Sequence, residues 1–127
     1  VANRTLDKAE RLVRHFHKDA SAVPLGVIAR SYENLGGQPF DLVVNATSAG
    51  LEGAMPPLPD NLFAPGAIAY DMVYGIETRF LAFARSRGVR CGDGLGMLVE
   101  QAAESFFIWR GVRPDTAPVI AQLRCDH

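Results

Sequence analysis

The segment FDLVVNATSAG, Phe40–Gly50, joins an apolar run to a cluster of small and hydroxyl residues. Leu42–Asn45 shows no polar alternation, so it reads as a strand buried on both faces and closed by a turn. AIAYDMV (Ala67–Val73) is a second run of the same kind, ending near Asp71. The stretch between them, GAMPPLPDNLFAPG, holds four prolines and is predicted to be irregular.

The chain outside these two strands alternates in type. VAN (Val1–Asn3) reads as a strand end, and Thr5 suits the cap of a following helix. Leu6, Ala9, Leu12, Val13 and Phe16 recur at helical spacing there, with Asp7, Arg11 and Arg14 on the outer side. LGVIA (Leu25–Ala29) has strand-like composition. Thr78 opens a helix carried by Phe80, Leu81 and Ala84 and stopped at Gly88. A short strand, VRC, and the loop GDGLG lead into a long helix from Leu95 to Arg110, ended by Gly111. Leu95, Leu98, Ala102, Phe106 and Trp109 are its expected buried stripe. Pro114 at a first-turn position is expected to start a last helix, with Val119, Ile120 and Leu123 on one side. Buried strands alternating with helices predict an α/β fold with a doubly wound parallel sheet in three layers.

Composition excludes several classes. The 127 residues suit one domain, and 48% hydrophobic content is enough for one core. A net charge of −1 gives no basic excess for nucleic acid. No apolar run approaches the ~18 residues of a membrane helix, and no signal-like segment leads the chain. Cys91 and Cys125 form neither a disulfide framework nor a metal pattern. His15 and His17 sit two apart, so their helix faces diverge, and no metal is expected. The default is a cytoplasmic protein without nucleic-acid or membrane partners.

In parallel α/β sheets ligands sit beyond the carboxyl ends of the strands, so the strand ends hold the candidate residues. Asn3, Arg4 and Thr5, with Lys8 one turn on, combine an amide, a hydroxyl and two cations at a helix N-terminus. Guanidinium offers two parallel donors to a phosphate dianion, so this set suits the 2′-phosphate of NADP rather than the ribose diol of NAD. A solvated basic first turn with Thr5 only capping would use the same residues. Thr47 and Ser48 in NATSAG supply hydroxyls where small neighbours allow close backbone approach, or form an ordinary turn. Met97 and Gln101 share a helix face at a Gly-rich entry. They could meet a cofactor ring and a substrate hydroxyl, or lie at the core margin and in solvent. Asp71 reads as a structural acceptor for backbone N–H groups of the DMVYG turn. Tyr74 carries a phenol just outside the strand. No Ser/His/Asp or Cys/His nucleophile arrangement can be argued from spacing.

Four blocks in order, NRTLDKAERL, FDLVVNATSAGL, YDMVYGIETRFL and DGLGMLVEQAAESFFIWRGVRPD, resemble the C-terminal half of shikimate dehydrogenases. The resemblance runs from Val1 to about Leu123. It implies a Rossmann-like NADP-binding domain of an enzyme that reduces 3-dehydroshikimate to shikimate with NADPH, in the route to aromatic amino acids. It places Asn3, Arg4, Thr5 and Lys8 at the adenosine 2′-phosphate and Thr47 and Ser48 in a loop lining the cofactor. Met72, Gly94 and Met97 fall around the nicotinamide, and Tyr74 and Gln101 at the substrate. The final helices, residues 95–127, would pack toward the substrate domain. One departure is Arg79, in ETRF, where many relatives carry a proline.

The family's catalytic Lys and Asp belong to the N-terminal domain and match no residue here. The Gly-rich pyrophosphate loop and the first, normally central, strand are expected just before VANRT. The resemblance therefore implies an incomplete sheet, a piece inactive alone, and a homodimer formed through exposed sheet edges. Two other readings use the same residues. One is a quinate or other hydroxy-acid dehydrogenase, and the other is a non-catalytic nucleotide-binding or self-associating module.

Overall fold

A computed structural model describes residues 1–17, 26–48 and 53–125. The elements are α1 (Leu6–His17), a 3-10 turn (Tyr32–Leu35), β1 (Phe40–Asn45), β2 (Phe63–Asp71), α2 (Arg79–Arg85), β3 (Arg90–Gly92), α3 (Leu95–Arg110) and α4 (Ala117–Cys125). Strands β1, β2 and β3 form a parallel sheet in that order. The predicted α/β class and parallel sheet are therefore observed.

The sheet is built around β2. Val43 pairs with Ala69, and Ala69 with Cys91. On that face Ala69, Phe80, Leu81 and Ala84 form the core, with Val43, Phe63 and Cys91 packed against it. Thr78 caps α2 as expected, accepting the Leu81 N–H at 3.2 Å. Gly111 ends α3 in the left-handed conformation, φ 70°, which a glycine adopts without a Cβ penalty. At the end of α2, Arg87 lies 3.6 Å above the Phe83 ring and pairs with Asp60, tying the helix to the loop before β2.

Several elements differ from the sequence expectation, each for a physical reason. β2 starts at Phe63, inside the proline-rich stretch. Its register against β1 slips between Phe40↔Phe63 and Leu42↔Ile68, so Pro65 and Gly66 (φ 79°) occupy an irregularity where no ladder donor is needed. The VAN segment forms an isolated parallel bridge, Ala2↔Arg30, instead of a strand. Leu25 of LGVIA lies outside the described residues, as do Ala49, Gly50 and Leu51. α4 starts at Ala117 and not at Pro114, because the Asp115 carboxylate and the Thr116 carbonyl accept the first-turn N–H groups of Ala117 and Ile120. α3 buries Leu95, Val99 and Ala103, whereas Trp109 is 77% exposed. That helix is apolar on nearly every side, so its sequence left the phase of the buried stripe undetermined. α1 buries only Ala9 of its apolar stripe, and Leu12 and Phe16 remain about half exposed. The sheet face opposite α2 is also open, with Leu42, Val44 and Ile68 exposed.

Candidate functional site at the strand ends

The carboxyl ends of β1 and β2 are locked by one buried carboxylate. Asp71 is fully buried and accepts from Asn45 Nδ2 at 3.0 Å, Thr78 Oγ1 at 2.6 Å and the Val73 N–H at 3.0 Å. Asn45 passes the constraint on: its Oδ1 accepts from Thr47 Oγ1 at 2.8 Å and the Thr47 N–H at 3.2 Å. The Met72 N–H bonds the Asn45 carbonyl at 3.0 Å, so the two strand-end loops share backbone as well as side-chain bonds. The expected Asp71–backbone bond is present. Sequence reading missed its links to Asn45 and Thr78. The available signal was a polar residue ending each of two apolar strands, now seen in register as Asn45↔Asp71.

Gly94 brings the third loop in. Its N–H bonds the Val73 carbonyl at 3.2 Å, and a Cβ built on it would lie 2.0 Å from the Met72 carbonyl oxygen. Only glycine permits that approach. Met72 and Gly94 are thereby held side by side, and α3 starts at once, carrying Met97 and Gln101 on its exposed side. Asp93 Oδ1 receives the Leu95 N–H at 3.3 Å and pairs with Arg124 at 3.8 Å, linking this entry to α4. Tyr74 and Asp93 share a concavity of about 250 Å³ with Leu123 and Arg124.

The basic cluster stands apart from this sheet, on the ladder of the Ala2–Arg30 bridge. Asn3 Oδ1 accepts the Thr5 N–H at 2.9 Å, which turns the chain into α1. Asp7 is engaged by Arg11 at 2.9 Å and Arg14 at 3.7 Å, and Glu10 by Arg14 at 3.4 Å. Among the described residues no carboxylate pairs with Arg4 or Lys8, and both are exposed at the positive end of the helix. Thr47 is half-buried and Ser48 exposed. No described residues gather three or more potential metal ligands. No described helix is long and apolar enough to cross a membrane.

A parallel α/β sheet with interlocked strand-end loops defines a domain of the Rossmann-like α/β class. Comparison with known proteins gives the particular family. The shikimate 5′-dehydrogenase C-terminal domain family matches residues 94–124. The NADP(+) shikimate dehydrogenase of Dechloromonas aromatica is 58% identical over 126 residues, covering 98% of this chain and 44% of that protein. The crystal structure of an Ael1 enzyme from Pseudomonas putida superposes with a TM-score of 0.86 at 48% identity, over 96% of this chain and 44% of that one. The Thermus thermophilus shikimate 5-dehydrogenase, crystallised with NADP(H) and shikimate, gives a TM-score of 0.73 at 35% identity over 98% of this chain. The chain belongs to the shikimate dehydrogenase family and matches its C-terminal half. It spans 44% of the length of the first curated relatives it matches.

Proposed function

We propose that this chain is the NADP-binding half of a shikimate dehydrogenase, serving NADPH-dependent reduction of 3-dehydroshikimate to shikimate in the cytoplasm. The observation that carries the reading is the pair Arg4 and Lys8. Every described carboxylate of the helix start is taken by another arginine, which leaves two unpaired cations where a 2′-phosphate would sit. Asn3 and Thr5 orient the adenosine end. Thr47 and Ser48 line the cofactor, and Met72, Gly94 and Met97 flank the nicotinamide. Tyr74 and Gln101 reach the substrate.

NADP fits this donor set. In its reduced form, NADPH, it would supply a hydride to the substrate carbonyl carbon. The chain's own part is positioning. The Asp71 knot holds Thr47 and Met72 in a fixed relation, and the Gly94 approach sets the level from which Met97 and Gln101 project. Proton transfer would fall to Lys and Asp of the N-terminal half, so the chain alone is expected to be inactive. A second copy pairing along the outer edge of β3 would give a homodimer, read by light scattering as twice 13.8 kDa.

Titration with adenosine 2′,5′-bisphosphate and with adenosine 5′-monophosphate tests the cofactor reading without a substrate. The bisphosphate is expected to bind at least tenfold more tightly, and Arg4→Glu to remove that preference. Equal affinities in the unaltered chain would defeat the NADP assignment.

A further inference from the structure

The concavity that Tyr74 borders, about 250 Å³ in volume, lies between the loop after β2, α2 and the last turn of α4. Its floor is apolar: Leu81 and Leu95 are buried there, and Leu123 adds a half-buried wall. Its rim carries two cations and two anions, Arg85 with Glu77 and Arg124 with Asp93. These pairs are incompletely used. Arg124 stands 3.8 Å from Asp93 Oδ1, beyond hydrogen-bond reach, and its guanidinium donates to no acceptor among the described residues. Asp93 accepts the Leu95 N–H through Oδ1, and Glu77 accepts from Arg85 through Oε1. One oxygen of each carboxylate is therefore left without a bond to a described residue. An apolar floor beneath a few convergent polar groups with unused hydrogen-bonding capacity is the form of a small-molecule site.

We propose that this cavity binds a free α-amino acid with an apolar side chain of about leucine's size. Charge sets the class. The four rim groups sum to zero, so a ligand with a single charge meets as much repulsion as attraction, whereas a zwitterion finds a partner at each end. The ligand carboxylate takes two parallel N–H donors of Arg124, the geometry that a guanidinium offers. The ammonium, with three donors, is held by the unused carboxylate oxygens of the rim. The floor sets the side chain: Leu81, Leu95 and Leu123 offer no polar side-chain atom, so a hydroxyl or a further charge would be desolvated there without a partner. Volume sets the size. A dry cavity of about 150 Å³ admits benzene. The 250 Å³ here therefore takes a four-carbon side chain with its charged groups at the rim. It falls short of the ~300–1,000 Å³ of sites for larger ligands. None of the residues proposed to hold NADP lines this cavity. Tyr74 alone is shared with the proposed substrate side, so an occupant rests against the loop that carries it.

The test is an NMR titration of this chain without nucleotide, so its outcome is separate from that of the cofactor reading. The probes are L-leucine, isocaproate, which lacks the ammonium, isoamylamine, which lacks the carboxylate, and L-serine, which keeps both charges and lacks the apolar side chain. L-leucine is expected to saturate in the millimolar range or below and to shift the Gly75, Ile76, Leu123 and Arg124 amides together. Each of the other three should bind at least tenfold more weakly. Arg124→Gln removes the guanidinium from an exposed turn and should weaken leucine at least fivefold without weakening isoamylamine. Glu77→Gln leaves the rim net positive and should narrow or reverse the gap between leucine and isocaproate. Circular dichroism of each variant verifies its fold. No saturable shift, shifts confined to other residues, equal affinities among the four probes, or undiminished leucine binding by Arg124→Gln would overturn the proposal.

Discussion

Replacing Asp71 by asparagine keeps the shape and changes one atom from acceptor to donor. Oδ2 now accepts from Asn45 Nδ2 at 3.0 Å and from Thr78 Oγ1 at 2.6 Å. In Asp71→Asn that position carries an NH2. Thr78 can adapt, because its hydroxyl can accept where it now donates. Asn45 cannot: turning its amide over would set its NH2 against the Thr47 N–H and hydroxyl, which it now accepts at 3.2 and 2.8 Å. One buried donor is left facing another, which costs about 1–3 kcal/mol. We expect about 2 kcal/mol, read as a lower urea midpoint at unchanged slope. The reciprocal variant Asn45→Asp/Asp71→Asn reverses the bonds from residue 71 to residue 45 and to Thr78, and keeps those received from Thr47 and the Val73 N–H. The carboxylate introduced on β1 accepts from the amide introduced on β2 and from Thr47, and the second N–H of that amide reaches Thr78. The double variant should therefore recover at least half of the loss, a coupling of about 1 kcal/mol or more. Asn45→Asp alone sets two carboxylates side by side. They would hold a shared proton, so that variant should regain stability as pH falls and lose it as pH rises. A neutral Asp71→Asn, or a double variant equal to the sum of the singles, would refute the knot as a directional network.

Gly94→Ala places a methyl 2.0 Å from the Met72 carbonyl, a backbone atom that cannot step aside, so its cost should reach or pass the upper end of the ~1–3 kcal/mol typical of overpacking. Gly92→Ala meets the Tyr70 ring at 3.0 Å, and ring displacement keeps its loss, by the same denaturation assay, near the lower end. Burial pushes the Cys91 thiol up, with Arg85 pulling it down and Glu77 adding to the rise, whereas Cys125 is exposed. Mass spectrometry after brief alkylation near neutral pH should find Cys125 modified first. Because the folded thiol is raised, its stabilising contribution holds below the ordinary thiol range and is lost as pH climbs through it, a loss that Cys91→Ala should abolish in alkaline melts. Hydrogen exchange should be slowest in β2 and α2, which share the core, and fastest in α1 and α4, of which the first buries Ala9 alone and the second buries no residue.

The legible parts of the fold were those fixed by local chemistry. Thr78 before Phe80 and Leu81, and Gly111 after Arg110, mark helix ends through a hydroxyl and a positive φ, and both stand where the sequence puts them. Elements settled by partners were less legible. Nothing near Pro65 announces a register slip against Phe40, because that depends on which residues of β1 stand opposite. The α3 stripe was misphased because Phe106, Phe107, Ile108 and Trp109 are all apolar, and only the neighbours of Leu95, Val99 and Ala103 choose among them. At the site, the residue types at strand ends were readable. The Asn45–Asp71–Thr78 knot was not, since it joins three segments whose juxtaposition appears only once the strands pair.

The two ends of the candidate cofactor site are held very differently. Around Met72 and Gly94 the loops are tied by a buried carboxylate, a helix cap and direct backbone bonds, all within β1, β2, α2 and the start of α3. All of these contacts lie within the chain, so this end is preorganised by it. The Arg4–Lys8 end hangs on the bonds of Val1 and Asn3 to residues 28–30, with a helix that buries one alanine. Charge at the proposed adenosine end and shape at the proposed nicotinamide end can each be present in this chain, yet dinucleotide affinity would depend on their separation being held. Calorimetry on this chain should therefore find whole NADP bound no more than a few-fold more tightly than adenosine 2′,5′-bisphosphate, which touches one end only, and a gain of a hundredfold or more would refute the argument.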